Sequence, residues 1–364
     1  MTVADITHYL ETIAPLSLQE SYDNAGLQTG HPLQDVNAIL ISLDVTEAVV
    51  DEAIAQGCNM IVAHHPVVFT GLKRLTGKTY TERIIIKAVR NNIAIYAIHT
   101  NLDNVETGVN AMIAEKLGLV HGRVLQPKPG LLRKLVTFAP EAHAGEVRQA
   151  LFQAGAGHIG NYDHCSFNVD GAGTFRADAT ANPFVGKRGV DHEEAETRIE
   201  VIYPQWAETA VLRALLKAHP YEEVAYDLYA LGNNHKGVGS GWIAELPQAM
   251  EESQFLAMVA GKMQAKGVRY TALLGRDIRK VALCGGSGSF LIKDAIAAGA
   301  DAFITADVKY HQFFDAEGRI LLVDIGHFES EQYTSDLLAR AISEKFANFA
   351  VRLSNVNTNP INYL

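Results

Sequence analysis

Between Asn37 and Leu117, short runs that are apolar throughout alternate with longer stretches whose apolar residues recur every three or four positions. In order they read AILISLDV, TEAVVDEAIAQG, NMIVAHH, a stretch near Thr81 to Asn91, IAIYAIHT, and another near Thr107 to Leu117. Short, fully apolar runs are the mark of strands covered on both faces, and the intervening periodicity is helical. The pattern therefore predicts strand-helix repeats and a parallel sheet, with Gly57 and Gly118 where helix C-caps belong. The rhythm returns after residue 279 as KVALCGG, a helix near Phe290 to Ala298, AFITAD, a short helix near Lys309 to Ala316, RILLVDIG, and a helix near Ser330 to Phe346. Both ends of the chain read as α/β.

The middle follows a different pattern, entered through the Pro/Gly-rich QPKPG. KLVTFAP reads as a strand, HAGEVRQALFQAG as a helix stopped by glycine, and HCSFNVD as a strand; TRIEVIYP, WAETAVLRALLKAH and EVAYDLYAL repeat the order. Two successive strand-helix-strand units of this size predict a ferredoxin-like α+β domain. The expected organisation is a discontinuous α/β domain, residues 1–125 and 247–364, with an insert at 126–246. The Gly- and charge-rich segment Gly171 to Ala195 is expected to be a mobile loop between the halves of the insert.

Composition narrows the classes. Of 364 residues, 48% are hydrophobic and 20% charged, as in ordinary globular proteins. The balance of 31 basic against 41 acidic residues, net −10, supplies no overall basic field for a nucleic acid, so nucleic acid is not an expected partner. Three scattered cysteines, Cys58, Cys165 and Cys284, form neither a disulfide framework nor a CxxC pair, which fits a reducing compartment. The N-terminal stretch lacks a signal peptide's basic and apolar regions, and no run approaches the ~18 apolar residues of a membrane span. A cytoplasmic protein without membrane partners is expected.

Three strand ends carry candidate chemistry. His64 and His65 follow the apolar strand MIVA, at the C-terminal edge where open α/β folds place ligands. Pro66 ends the strand, so both imidazoles can turn toward one cavity. His99 and Asp103 follow IAIYAI at the same edge, although Asp103 could simply cap the next helix and His99 could bond the backbone. His327 and Glu331 follow ILLVDIG at spacing i, i+4, which on a helical turn puts both on one face. Five imidazole and carboxylate ligands without a thiolate exceed an ordinary structural zinc site. Two divalent ions about 3.5 to 4 Å apart, sharing a carboxylate and a water, would use the whole set, with Glu331 or Asp103 spanning both. Such ligands admit zinc first, then manganese or iron. The chemistry implied is metal-assisted hydrolysis with the shared water as nucleophile.

AHHPVVFTG, IHTNLDNV, ITADVKYH and DIGHFESE, with the N-terminal SYDNAGLQTG, resemble the Nif-three-like family, often labelled GTP cyclohydrolase I type 2 homologues. VRQALFQAGAGHIGNYDHCSF and LLKAHPYEEVAYDLY are similar to the PII-like insert of its longer bacterial members. The resemblance implies two metal ions per subunit on His64, His65, Asp103, His327 and Glu331, a homohexameric toroid, and His99 as a further cavity residue, a proton donor or a partner of the ligands rather than a ligand itself. Its label implies a small nucleotide-like substrate. A competing expectation is a non-catalytic metal-binding assembly whose insert senses a small-molecule effector. Weaker features are the Gly/Ser loop CGGSGSF, a tight turn before a phosphate cradle, and Asp307 and His311, a helix cap and a cavity-lining residue respectively.

Overall fold

The computed structural model describes residues 1–364. The chain divides into two compact units, one made of Met1–Gln126 and Gly237–Leu364, the other of Pro127–Lys236. The boundary of the second unit lies inside a long strand, Asn234–Met250.

The first unit holds two sheets. The five-stranded one has the order Gly26–Thr29, Ala94–Ala97, Met60–Ala63, Ala38–Ser42, Ala350–Leu353. Its last four members are parallel and Gly26–Thr29 pairs antiparallel on the edge. Every residue of Ala38–Ser42, Met60–Ala63 and Ala94–Ala97 is buried, the reason these runs carry no polar alternation. Helices Glu47–Ala55 and Tyr80–Arg90 cover one face, and Val49, Val50, Ile84 and Ile85 join Leu40, Ile61 and Ile95 in one core. Each such side chain contributes roughly 1.5–3 kcal/mol by leaving water. The helices start where Thr46 and Thr79 accept hydrogen bonds from the amides of Val49 and Glu82. The helix Val109–Leu117 ends at Gly118 in the left-handed conformation, φ 76°, which glycine adopts without steric cost.

The second sheet of this unit has six strands, ordered Arg269–Tyr270, Leu321–Asp324, Ala302–Thr305, Ile278–Leu283, Asn234–Met250, Val120–Pro129. The three central members that follow the predicted β-α rhythm are parallel. The helix expected from Ser330 to Phe346 is two helices, His327–Glu331 and Thr334–Lys345.

The second unit has the element order β-α-β-β-α-β and one antiparallel sheet, ordered Phe167–Arg176, Asp191–Pro204, Leu132–Pro140, Tyr226–Ala230. Helices Glu141–Gln153 and Glu208–Ala218 pack Val147, Leu151, Val211 and Leu215 against Leu135, Ile199, Val201 and Tyr203. The segment expected as a loop from Gly171 to Ala195 is strand at both ends. Gly171 to Arg176 and Asp191 to Ala195 are paired, and 177–190 alone connects them. Cross-strand pairing, rather than apolar side chains of its own, holds Phe167–Arg176 in place, so its glycines and polar residues misdirect a periodicity reading. No helix is long and apolar enough to cross a membrane.

Candidate metal centre

Parallel register brings the histidines together. Ser42, Ala63 and Ala97 lie side by side in the first sheet. Pairing continues one step further, with the amides of His64, His65 and Ile98 donating to the carbonyls of Ser42, Leu43 and Ala63. Residues two positions on, Asp44, His65 and His99, therefore arrive at one level of the strand edge. The imidazole of His99 lies 5.3 Å, centroid to centroid, from both His64 and His65. Asp103 follows in the short helix Thr100–Asp103; the next helix is capped at Gly108, so Asp103 does not serve as its N-cap. The second sheet ends at Asp324 and turns through Gly326 into the helix His327–Glu331.

Two of the resulting clusters share one carboxylate. Glu331 Oε2 lies 3.0 Å from His65 Nε2 and 3.0 Å from His327 Nε2, the i, i+4 contact expected from the spacing. The two nitrogens are 3.4 Å apart. The other oxygen, Oε1, faces His64 Nε2 at 3.9 Å, and His64 Nε2 lies 3.6 Å from Asp103 Oδ1. His64, Asp103 and Glu331 form one group with metal-ligating potential, His65, His327 and Glu331 a second, and His64, His65 and His99 a third.

The far ring nitrogens decide what the near ones can do. His64 Nδ1 donates to the carbonyl of Ile98 at 2.8 Å. His65 Nδ1 lies 2.8 Å from Asp44 Oδ1, His99 Nδ1 2.7 Å from Asp23 Oδ1, and His327 Nδ1 2.6 Å from Asp307 Oδ2. Each acceptor places a proton on Nδ1, which leaves Nε2 of the neutral ring as a lone pair aimed inward. For His64 the consequence is sharp. Burial holds its imidazole down to about 3, so it is neutral, and its Nε2 is buried without a hydrogen-bond partner. Asp103 Oδ1 is likewise buried and unpartnered. Acceptors facing acceptors in a buried place are costly unless a cation sits between them, so the donor set fits a metal ion.

The charge states carry the same requirement. Burial would lower His65, but bonds to Asp44 and Glu331 raise it to about 10. Burial would also lower His327, yet the bond to Glu331, with Asp307 behind it, raises it to about 9. Burial would raise Glu331, but bonds from His327 and His65 hold it well below the usual carboxylate range. Burial pushes Asp103 well above that range, and the Glu331 charge adds to the push. Without metal, protons on two imidazoles provide the positive charge that the carboxylates demand.

The Gly/Ser loop supports this centre. The Gly285 amide donates to Asn110 Oδ1, the Gly286 amide to Ser330 Oγ, and the Gly288 amide to Thr305 Oγ1. Donors spent on the protein are not available to cradle a phosphate. Gly286, at φ +59°, lies against Glu331; a Cβ there would stand 2.4 Å from Oε1. Asp307 pairs with His327, whereas His311 is absent from the cleft lining. Sequence reasoning passed over Asp23, Asp44 and Thr358, whose hydroxyl donates to Asp44 Oδ2 at 2.6 Å. Asp44 carried a usable signal, since it follows an apolar strand at the level of His65.

The centre opens into a cleft of about 520 Å³, lined in part by Tyr22, Phe69, Phe290 and Phe328 and by Asn359 to Ile361.

The family described as Duf34/NIF3 (NGG1p interacting factor 3) matches residues 1–360. The chain belongs to the DUF34/NIF3 family. This DUF34/NIF3 protein is 39% identical, over 99% of its length and 98% of the relative's, to a protein of Halalkalibacterium halodurans named GTP cyclohydrolase 1 type 2 homolog. A Bacillus subtilis protein of the same name is 37% identical over 99% and 98%. Among solved structures, a Bacillus cereus protein related to NIF3 superposes with a TM-score of 0.88 at 40% identity, covering 100% of this chain and 99% of that one. Staphylococcus aureus SA1388 gives 0.79 at 30% identity, with the same coverage. The DUF34/NIF3 fold is thus common to proteins that span the full chain.

Proposed function

We propose that the cleft is a dinuclear metal-dependent hydrolase centre acting on a small, nucleotide-like substrate. The observation that carries the reading is Glu331, whose two oxygens face two different groups of unshared donor atoms. His64 and Asp103 would hold one ion and His65 and His327 the other, with Glu331 between them; zinc, manganese and iron all suit imidazole and carboxylate donors. Bound there, such ions would supply Lewis acidity and a water acidified toward neutral pH.

The chain's own residues do the rest. Asp44, Asp307 and the Ile98 carbonyl fix the rings of His65, His327 and His64. His99 hangs its Nδ1 on Asp23, which leaves the Nε2 lone pair to take a proton from the attacking water and then pass it to a leaving nitrogen. The aromatic walls favour a flat ring, in keeping with the relatives' cyclohydrolase name. The second unit, by its β-α-β-β-α-β order, we read as a ferredoxin-like domain of the PII-like type, and the assembly as a homohexameric toroid.

The test is metal analysis of the purified protein, followed by a turnover screen of GTP and other nucleotides with the zinc-, manganese- and iron-loaded forms. Two ions per chain, and turnover lost in His64→Ala and Glu331→Ala, are expected. Metal binding without turnover of any nucleotide would replace this reading by a regulatory metal-binding assembly. A mass other than six protomers in light scattering removes the toroid.

A further inference from the structure

The second unit has a pocket of its own, about 640 Å³, on the sheet face opposite its two helices. Its floor follows from a pattern in one strand. In Phe167–Arg176 the residues Val169, Gly171, Gly173 and Phe175 alternate onto one face, and antiparallel pairing sets them beside Arg198, Glu196, Glu194 and His192. Two glycines in succession on that face cut a notch between Val169 and Phe175. The notch is used unequally. At Gly173 a Cβ would stand 2.1 Å from Glu196 Oε2, so the carboxylate lies across that glycine; at Gly171 a Cβ would meet nothing within 4 Å. Glycine weakens a strand interior, and here it makes open space beside a carboxylate.

That carboxylate is aimed and walled. The Tyr221 hydroxyl donates to Glu196 Oε1 at 2.8 Å. The Tyr221 ring lies 6.4 Å from Phe175 and 6.2 Å from Phe184, and Phe138 joins them in the lining. The charged residues of the pocket are Asp170, Glu196, Glu222 and Glu223 against the single Arg198, whose guanidinium is 2.8 Å from Glu200. An apolar, aromatic pocket with surplus negative charge matches one class of ligand by both shape and sign.

We propose that this pocket binds a small organic cation with a flat apolar body, its charge on Glu196 and its ring between Phe175, Phe184 and Tyr221. The site is separate from the metal-centre reading and does not depend on it.

The test uses the full chain and benzamidine, a planar amidinium, with benzoate as the same ring of opposite charge, in isothermal titration calorimetry. Saturable binding of benzamidine and none of benzoate is expected. Gly171→Val fills the notch with a residue suited to a strand, and Glu196→Gln removes the charge while keeping an acceptor for Tyr221. Each should weaken benzamidine about tenfold or more, the loss of a charge-assisted bond or of the space it needs. Circular dichroism checks that both variants fold, and Gly171→Val alone suffices if Glu196→Gln does not. No saturable benzamidine binding, equal binding of benzoate, or affinity unchanged in either folded variant overturns the proposal.

Discussion

Replacing Gly286 by alanine separates the local requirements of the metal centre from general backbone strain. Two costs follow from the geometry. The first is conformational, because at φ +59° an alanine pays roughly 1–2 kcal/mol for the left-handed region. The second is steric and specific. The new Cβ would stand 2.4 Å from Glu331 Oε1 and 3.3 Å from His327 Cε1. A comfortable carbon-oxygen contact is about 3.3 Å or more, so the carboxylate must retreat by about 1 Å. Glu331 is 3% exposed and tied at 3.0 Å to both His65 and His327, so that retreat stretches bonds already at full length. Misplacing a supporting group typically costs 10- to 100-fold in metal affinity, and a carboxylate facing two donor groups should impose a loss of that order on both ions. Gly57→Ala is the matched control. It has φ +70° and nothing within 4 Å, so it carries the backbone cost alone. Chelator competition gives the affinities, elemental analysis the stoichiometry, and thermal melting the strain. Both variants should lose a few degrees in Tm, and Gly286→Ala alone should lose metal. Wild-type affinity in Gly286→Ala, or an equal loss in Gly57→Ala, would refute the reasoning.

At pH 7 the metal-free protein holds protons on His65 and His327, raised to about 10 and about 9, and burial pushes Asp103 up as well, so loading should release at least two protons per chain and affinity should climb with pH up to about 10. Calorimetry in buffers of different ionisation enthalpy counts them, and a count of zero rejects the charge assignment. Because these two values lie above the ordinary 6.5, their stabilisation of the metal-free fold is complete below about 6.5 and lost as pH rises through about 9 to 10. Metal-free Tm should fall over that window. Asp44→Asn removes the charge behind His65 and an acceptor of Thr358, and should weaken metal binding about 10- to 100-fold in the same chelator assay. Asp23→Asn should leave metal content at wild-type level while lowering kcat for any nucleotide turned over, and a fall in metal content instead would make His99 a ligand.

What the sequence showed and what it hid have separable physical causes. Ala38–Ser42, Met60–Ala63, Ala94–Ala97 and Leu321–Asp324 are readable because burial on both faces leaves them apolar up to their last residues, Ser42 and Asp324 alone being polar, and the residue just past such a run stands at a strand edge. That made His64, His65, His99 and His327 conspicuous, and helical spacing did the same for Glu331. The carboxylates that hold those rings were not conspicuous. Asp23 lies 76 residues from His99 and Asp44 21 residues from His65, and the pairs meet through tertiary packing that no local period encodes. The second half of Phe167–Arg176, from Gly171 on, was hidden for the opposite reason: it is a strand by pairing, with most of its side chains exposed.

The two halves of the metal centre also differ in how they meet the need for positive charge. Around His65 and His327, Asp44, Asp307 and Glu331 are balanced by protons when metal is absent, because each ring has an acceptor on both nitrogens. His64 has no such recourse. Its Nδ1 is bound to a neutral carbonyl, burial keeps it uncharged, and its lone pair points at Asp103 and Glu331. Protonation can satisfy one side, while on the other it would have to fall on Asp103, which burial raises for that reason. Protons must leave His65 and His327 before an ion can enter the first side, whereas on the second none must leave His64 and the competition rests on Asp103 alone. The bonds that preorganise the imidazoles thereby also set how strongly each half resists exchange of protons for metal.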